Sequence, residues 1–140
     1  MLVRQLQTMT VTEIRELVAS RLPGRYEPLN LTFYGRECRP IGEHVVIGDD
    51  YGTDLCVSLS DGAVHSIDPK EMLPPRRFVN SGITELAKFI ELSGTFADSS
   101  AEPEILAQQM QAALTKMDAK AFSDPENWWA VILEQLSYGL

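Results

Sequence analysis

The 140-residue chain has only two cysteines, Cys38 and Cys56, and two histidines, His44 and His65. Cysteines so few and so far apart give no disulfide framework. Each is expected as a small buried apolar residue in a reducing compartment. Neither histidine has a second His, Cys or acidic residue at ligand spacing on a common helix, so no zinc site is expected. Both lie in or beside apparent strands and read as hydrogen-bonded structural residues. No stretch approaches the roughly 18 apolar residues of a membrane span. Met1-Leu2-Val3-Arg4-Gln5 lacks the apolar segment of a secretory signal. The expectation is a soluble cytoplasmic protein with no membrane partner. A basic patch of any length is missing too, which argues against nucleic acid as a partner. So are the phosphate-binding G-x-x-x-x-G-K and the Pro-Cys-x-x-Cys of zinc deaminases.

What is present is an ordinary globular composition, with 44% hydrophobic and 23% charged residues. The length fits one domain, residues 1–140, able to bury roughly 70% of its unfolded surface. The net charge of −8 is unevenly placed. Residues 1–39 carry six arginines against four glutamates, a net of +2. Residues 40–75 set Lys70 against seven carboxylates, a net of −6, and the remainder has five positive and nine negative groups, a net of −4. An acidic surface favours basic partners, although net charge by itself also keeps a protein soluble.

The chain changes character near Pro74-Pro75, with β-like runs before it and helical periods after. Thr10 followed by Glu13 is a capping box, and Val11, Ile14, Val18 and Leu22 recur at helical spacing until Pro23-Gly24. Residues 29–34 alternate like a strand, and Val45-Val46-Ile47 reads as a strand ending at Gly48-Asp49-Asp50. Residues 54–59 and 63–67 flank Ser60-Asp61-Gly62, a hairpin signal because glycine supplies the positive φ of the turn. Leu55, Val57 and Leu59 share one face, predicted to point at the core. Residues 44–47 should pair alongside, and Phe78-Val79 adds a further short strand. Three helices follow. Asn80 or Ser81 caps the first, striped by Ile83, Leu86, Ala87 and Ile90 with Phe89 beside. Ser100 caps the second, faced by Leu106, Met110, Leu114 and Met117. Asp124-Pro125-Glu126 opens the third, which carries Trp128, Trp129, Ile132, Leu133 and Leu136. This is an α+β domain: an N-terminal helix, a central mostly antiparallel sheet, and C-terminal helices packed on it.

Catalytic constellations are not evident. Cys38 lies near Arg36 and Arg39, a setting that lowers a thiol pKa, but no companion base accompanies it. Cys56, inside a strand, reads as packed. Asp49, Asp50 and Asp54 place three carboxylates within six residues, which suits a hard cation. The spacing is not that of an EF-hand, and a tight acidic turn between two strands explains it as well. Trp128 and Trp129 point about 100° apart on a helix, so at most one sits at the centre of the core stripe. Both read as largely core with a partly exposed edge, or else as an interface anchor.

Taken in order, Val46-Ile47-Gly48-Asp49-Asp50 with Gly52, Leu55-Cys56-Val57, Asp61-Gly62-Ala63-Val64, Ser66-Ile67-Asp68-Pro69 and Arg77-Phe78-Val79-Asn80-Ser81 resemble the SUKH superfamily. The closest similarity is to its fourth subfamily of bacterial immunity proteins. The ending, from Ala121-Phe122-Ser123-Asp124-Pro125-Glu126-Asn127-Trp128-Trp129 to Val131-Ile132-Leu133-Glu134-Gln135-Leu136, is similar as well. The resemblance implies an α+β fold and a cytoplasmic antidote that binds and occludes a polymorphic toxin, often a nuclease or nucleic-acid deaminase. It brings no catalytic residue, metal or cofactor. Nuclease active sites tend to be basic, so an acidic inhibitor is steered onto them, with Asp49, Asp50, Tyr51, Asp54 and Asp61 as candidate contacts. Two other readings stand beside it: a regulatory or scaffold module of the same fold without a toxin, and a small enzyme or metal-binding domain using the acidic loop.

Overall fold

In the computed structural model, which describes residues 9–70, 76–96 and 99–139, the predicted capping box is formed. Thr10 Oγ1 accepts the Glu13 N–H at 3.1 Å, and Glu13 Oε1 accepts the Thr10 N–H at 2.9 Å. Two backbone donors with no partner inside the helix are thereby satisfied, and α1 runs from Val11 to Arg21. Its buried Ile14 and Val18 face the sheet side. Met1–Gln5 and the change of character at Pro74-Pro75 lie outside the described residues.

Among the described residues, the sheet has seven strands: β1 Arg25–Tyr26, β2 Leu31–Phe33, β3 Arg39–Ile41, β4 His44–Asp49, β5 Asp54–Ser58, β6 Val64–Ile67 and β7 Arg76–Asn80. Every recorded pairing is antiparallel, in the order β1-β2-β4-β5-β6-β7, with β3 also on β4. Asp61-Gly62 turns the β5–β6 hairpin as predicted. Gly62 stands at φ +77, and Asp61 Oδ1 accepts the Ala63 N–H at 2.9 Å. Strand β3 was not expected, because Pro40 cannot donate to a ladder. Its place at an edge, beside β4 alone, is where a strand tolerates proline. Where β2 meets β4, Gly48 lies against the Thr32 carbonyl and the Phe33 backbone, so closely that a Cβ there would collide. Glycine at that position lets β2 close on the strand that leads into the acidic loop.

Three helices complete the chain: α2 Ile83–Phe96, α3 Pro103–Met117 and α4 Trp128–Ser137. They share a continuous core with one face of the sheet, including Val45, Ile47, Leu55, Val57, Phe89, Leu114 and Trp129. Each such side chain, fully buried, stabilises the fold by about 1.5–3 kcal/mol. This is the predicted α+β arrangement.

Five local expectations are corrected. Phe89 is fully buried at the centre of the α2 stripe rather than beside it. Glu102, not Ser100, takes the N-cap position of α3, because Pro103 at the first turn fixes the start there. Met117 ends that helix 42% exposed. Asp124 opens a turn of its own, accepting the Glu126 N–H at its side chain and the Asn127 N–H at its carbonyl, so Asn127 takes the N-cap position of α4. Finally, neither Asn80 nor Ser81 caps α2 with its side chain. Both bind Asp118 instead.

Candidate partner-binding site

The β4–β5 loop is held by its own carboxylates. Asp50 Oδ1 accepts from the backbone N–H groups of Gly52 and Thr53, at 3.1 and 2.6 Å, and from the Thr53 hydroxyl at 2.9 Å. Its Oδ2 accepts the Trp128 indole N–H at 2.8 Å. That bond spans 78 residues and ties the loop to the first turn of α4. Asp49 divides its oxygens likewise, taking the Tyr51 N–H at 3.0 Å and the Tyr34 hydroxyl at 2.7 Å. Burial first, and then the bond to Asp49, pushes the Tyr34 phenol up to about 12.

The loop thus wraps around Asp50, and the consequence falls on Tyr51. It adopts φ +76, a left-handed conformation unfavourable for a residue with a Cβ, and its side chain is 87% exposed. The hydrogen bonds to Asp50 place this strain on Tyr51, not on the neighbouring glycine. Asp54 closes the loop on β5, half-buried, its carboxyl raised above the ordinary range by burial while Arg39 acts in the opposite sense. Tyr34, Asp49, Tyr51, Gly52, Thr53 and Asp54 line a shallow depression of about 240 Å³. Of the candidate contacts, Asp49, Asp50, Tyr51 and Asp54 therefore come together. Asp61 sits apart, at the β5–β6 turn at the other end of β5.

The remaining candidates resolve as structure. Cys38 is buried, its thiol directed to the Gly35 carbonyl at 3.0 Å. Burial raises its pKa to about 11, outweighing the nearby Arg15, so Cys38 is the small buried residue expected and the arginines near it in sequence do not activate it. Arg36 is engaged elsewhere, paired with Glu16 at 2.8 Å. Cys56 is likewise packed and raised to about 12 by burial. Among the described residues, no group of three or more His, Cys, Asp and Glu side chains is placed to hold a metal ion. Both tryptophans are core, Trp129 fully and Trp128 at 6% exposure, their rings edge-to-face at 4.9 Å.

Sequence reasoning missed a buried polar group behind this site. Asp118 accepts from Asn80 Nδ2 at 3.1 Å, from the Ser81 N–H at 2.7 Å and from the Ser81 hydroxyl at 2.8 Å. Asn80 Oδ1 in turn accepts the Trp129 indole N–H at 2.9 Å. The network joins the end of β7 to the C-terminus of α3 and the start of α4. A helical stripe that broke off at an aspartate was the available signal.

Fold and site together define a small α+β domain with one helix-covered sheet face and a rigid acidic loop at the end of two central strands. A family model described as SUKH-4 immunity protein matches residues 36–135, and the chain belongs to that family. Membership implies an immunity function exercised by binding a cognate toxin, in a family that is generally non-enzymatic. No curated protein and no solved structure matches the chain. No helix among the described residues is long and apolar enough to cross a membrane.

Proposed function

We propose that this chain, acting as a single unit over residues 1–140, is the cytoplasmic antidote to a polymorphic toxin whose activity is that of a nuclease or nucleic-acid deaminase. It binds the toxin domain and occludes the active site without doing chemistry itself. The observation that supports this surface is the β4–β5 loop: an exposed aromatic, Tyr51, held on a rigid carboxylate-rich turn. A preorganised aromatic loses little conformational freedom on docking and is suited to anchor an interface. The surrounding carboxylates steer a basic cleft toward it. In this reading Tyr51, Asp49 and Asp54 make contact. Of these, Asp49 contacts through oxygens that also hold Tyr51 N–H and the Tyr34 hydroxyl, whereas Asp50 and Asp61 contribute through loop shape and field.

The test is co-expression with the toxin domain encoded beside this chain. Wild type restores growth. Tyr51→Ala combined with Asp54→Lys loses protection while remaining folded by circular dichroism. Full protection by that variant removes the loop from the interface.

A further inference from the structure

A second concavity opens between β1 with the turn Glu27–Leu29 that follows it, the end of α2, and the α3–α4 pair. It encloses about 410 Å³, more than the depression at the acidic loop and within the range of small-molecule sites. Its floor is buried: Trp129 is fully covered, and Leu133, Met110 and Ser93 are at most 7% exposed. Leu29, Phe96, Leu106 and Leu136 wall it, each half-buried. These four pack against the edge of the core cluster, which leaves their remaining apolar surface to line the groove.

Charge is missing from that lining. None of its thirteen described residues is charged at neutral pH, in a chain of which 23% is charged. A fatty acid, nucleotide or amine entering here would lose hydration with no opposite charge in the lining to replace it. Arg25, next in sequence to Tyr26, is already paired with Glu27 at 2.7 Å. The polar contribution comes from one pair of hydroxyls. Ser93 donates its single proton to the Ile90 carbonyl at 2.9 Å, so Tyr26 is the donor in the 3.1 Å bond between the two side chains. The Tyr26 phenol oxygen is thereby left as an acceptor that no donor reaches among the described residues.

We infer that this groove binds one neutral, mainly apolar small molecule, seated on Trp129 and donating an O–H or N–H to the Tyr26 phenol oxygen. Concavity favours a small molecule over a protein. A stable protein interface takes about 800 Å² from each partner, and most of it would fall outside the groove, on the mixed charges of Arg25, Glu27 and Glu134. The inference goes beyond the immunity reading and does not depend on it.

The experiment titrates the methyl-labelled full chain with three probes of one ring system: naphthol, its methyl ether and naphthoate. Naphthol is expected to shift the methyl signals of Leu106, Met110, Ile132 and Leu136. It is expected to bind about tenfold more tightly than the ether, the worth of one hydrogen bond. Naphthoate is expected to bind about tenfold more weakly than the ether, or less. Tyr26→Phe/Ser93→Ala removes both hydroxyl acceptors, and should bring naphthol to the level of the ether while leaving the ether unmoved. Leu106→Trp fills the groove and should abolish binding of both, with the fold retained by circular dichroism. The inference is overturned if naphthol shifts nothing or shifts signals outside the groove, or if naphthoate binds as tightly. Equal binding of naphthol and ether to wild type, or undiminished naphthol binding to either variant, overturns it as well. So does a wild-type dimer in sedimentation that Leu106→Trp dissociates, since the occupant is then a second copy.

Discussion

Trp128 and Trp129 are neighbours at the start of one helix, and each donates its indole N–H to a side-chain oxygen. Trp129 reaches inward to Asn80, whose amide continues to Asp118, and all three residues are buried. Trp128 reaches outward to Asp50, and beyond Asp50 lies a solvated loop ending in the exposed Tyr51. The same chemistry holds a fold in one direction and aims a surface in the other. What separates the two is water. Behind Trp129 a lost partner leaves buried polar groups unsatisfied, which is costly; at the loop, solvent replaces much of what is lost.

That contrast is broken most directly at Asp118. Asp118→Ala strands Asn80 Nδ2 together with the N–H and hydroxyl of Ser81, and is expected to cost about 3 kcal/mol in urea unfolding with an unchanged denaturant slope. A loss below 1 kcal/mol would show that the network is not a buried unit. Asp50→Ala removes four side-chain bonds, one more than Asp118→Ala, but in a wetter place. It is expected to cost about 1 kcal/mol of stability while releasing Tyr51 and weakening toxin binding by more than the stability change alone. Equal effects of the two substitutions on stability would erase the distinction between the networks.

The smallest effect concerns the two histidines. His65 is held below its ordinary value of 6.5 by burial first and then by Arg76 and Lys120, with His44 adding in the same sense and Asp61 opposing. His44 is lowered by burial and Arg76 against the pull of Asp54. Histidines depressed in the folded state leave the unfolded chain binding more protons. Stability is therefore full above 6.5 and declines as pH falls through that value toward the lower folded values. Asp54, raised above 3.8, acts with the opposite sign in a more acidic window. Melting temperatures measured from pH 7.5 to 5.5 should fall, and His65→Gln should flatten the decline. An unchanged slope in that variant would remove His65 from the account.

The features legible in the residues were those with short-range causes. The Thr10–Glu13 box closes over three residues, and the Asp61-Gly62 turn needs only its own glycine and aspartate. The β5–β6 hairpin, its β4 neighbour and the apolar stripes followed from periodicity. The errors share a different origin. Asn80 and Ser81 have the chemistry of helix caps, but Asp118, 37 and 38 residues further along, competes for them and wins with an anionic acceptor. Ser100 lost its helix start to a proline three residues on.

The sequence by itself determined the α+β plan, the turns, the acidic middle and the ordered run of motifs shared with the SUKH-4 immunity family, because periodicity, turn chemistry and charge are local properties of the chain. Only the tertiary structure decided that Asp50 faces Trp128 rather than solvent, that the strain of the loop falls on Tyr51, and that Asp118 gathers Asn80 and Ser81. Each depends on which distant side chains arrive within hydrogen-bonding or packing distance. Strand order and helix placement set those encounters, and residue types along the chain do not encode them individually.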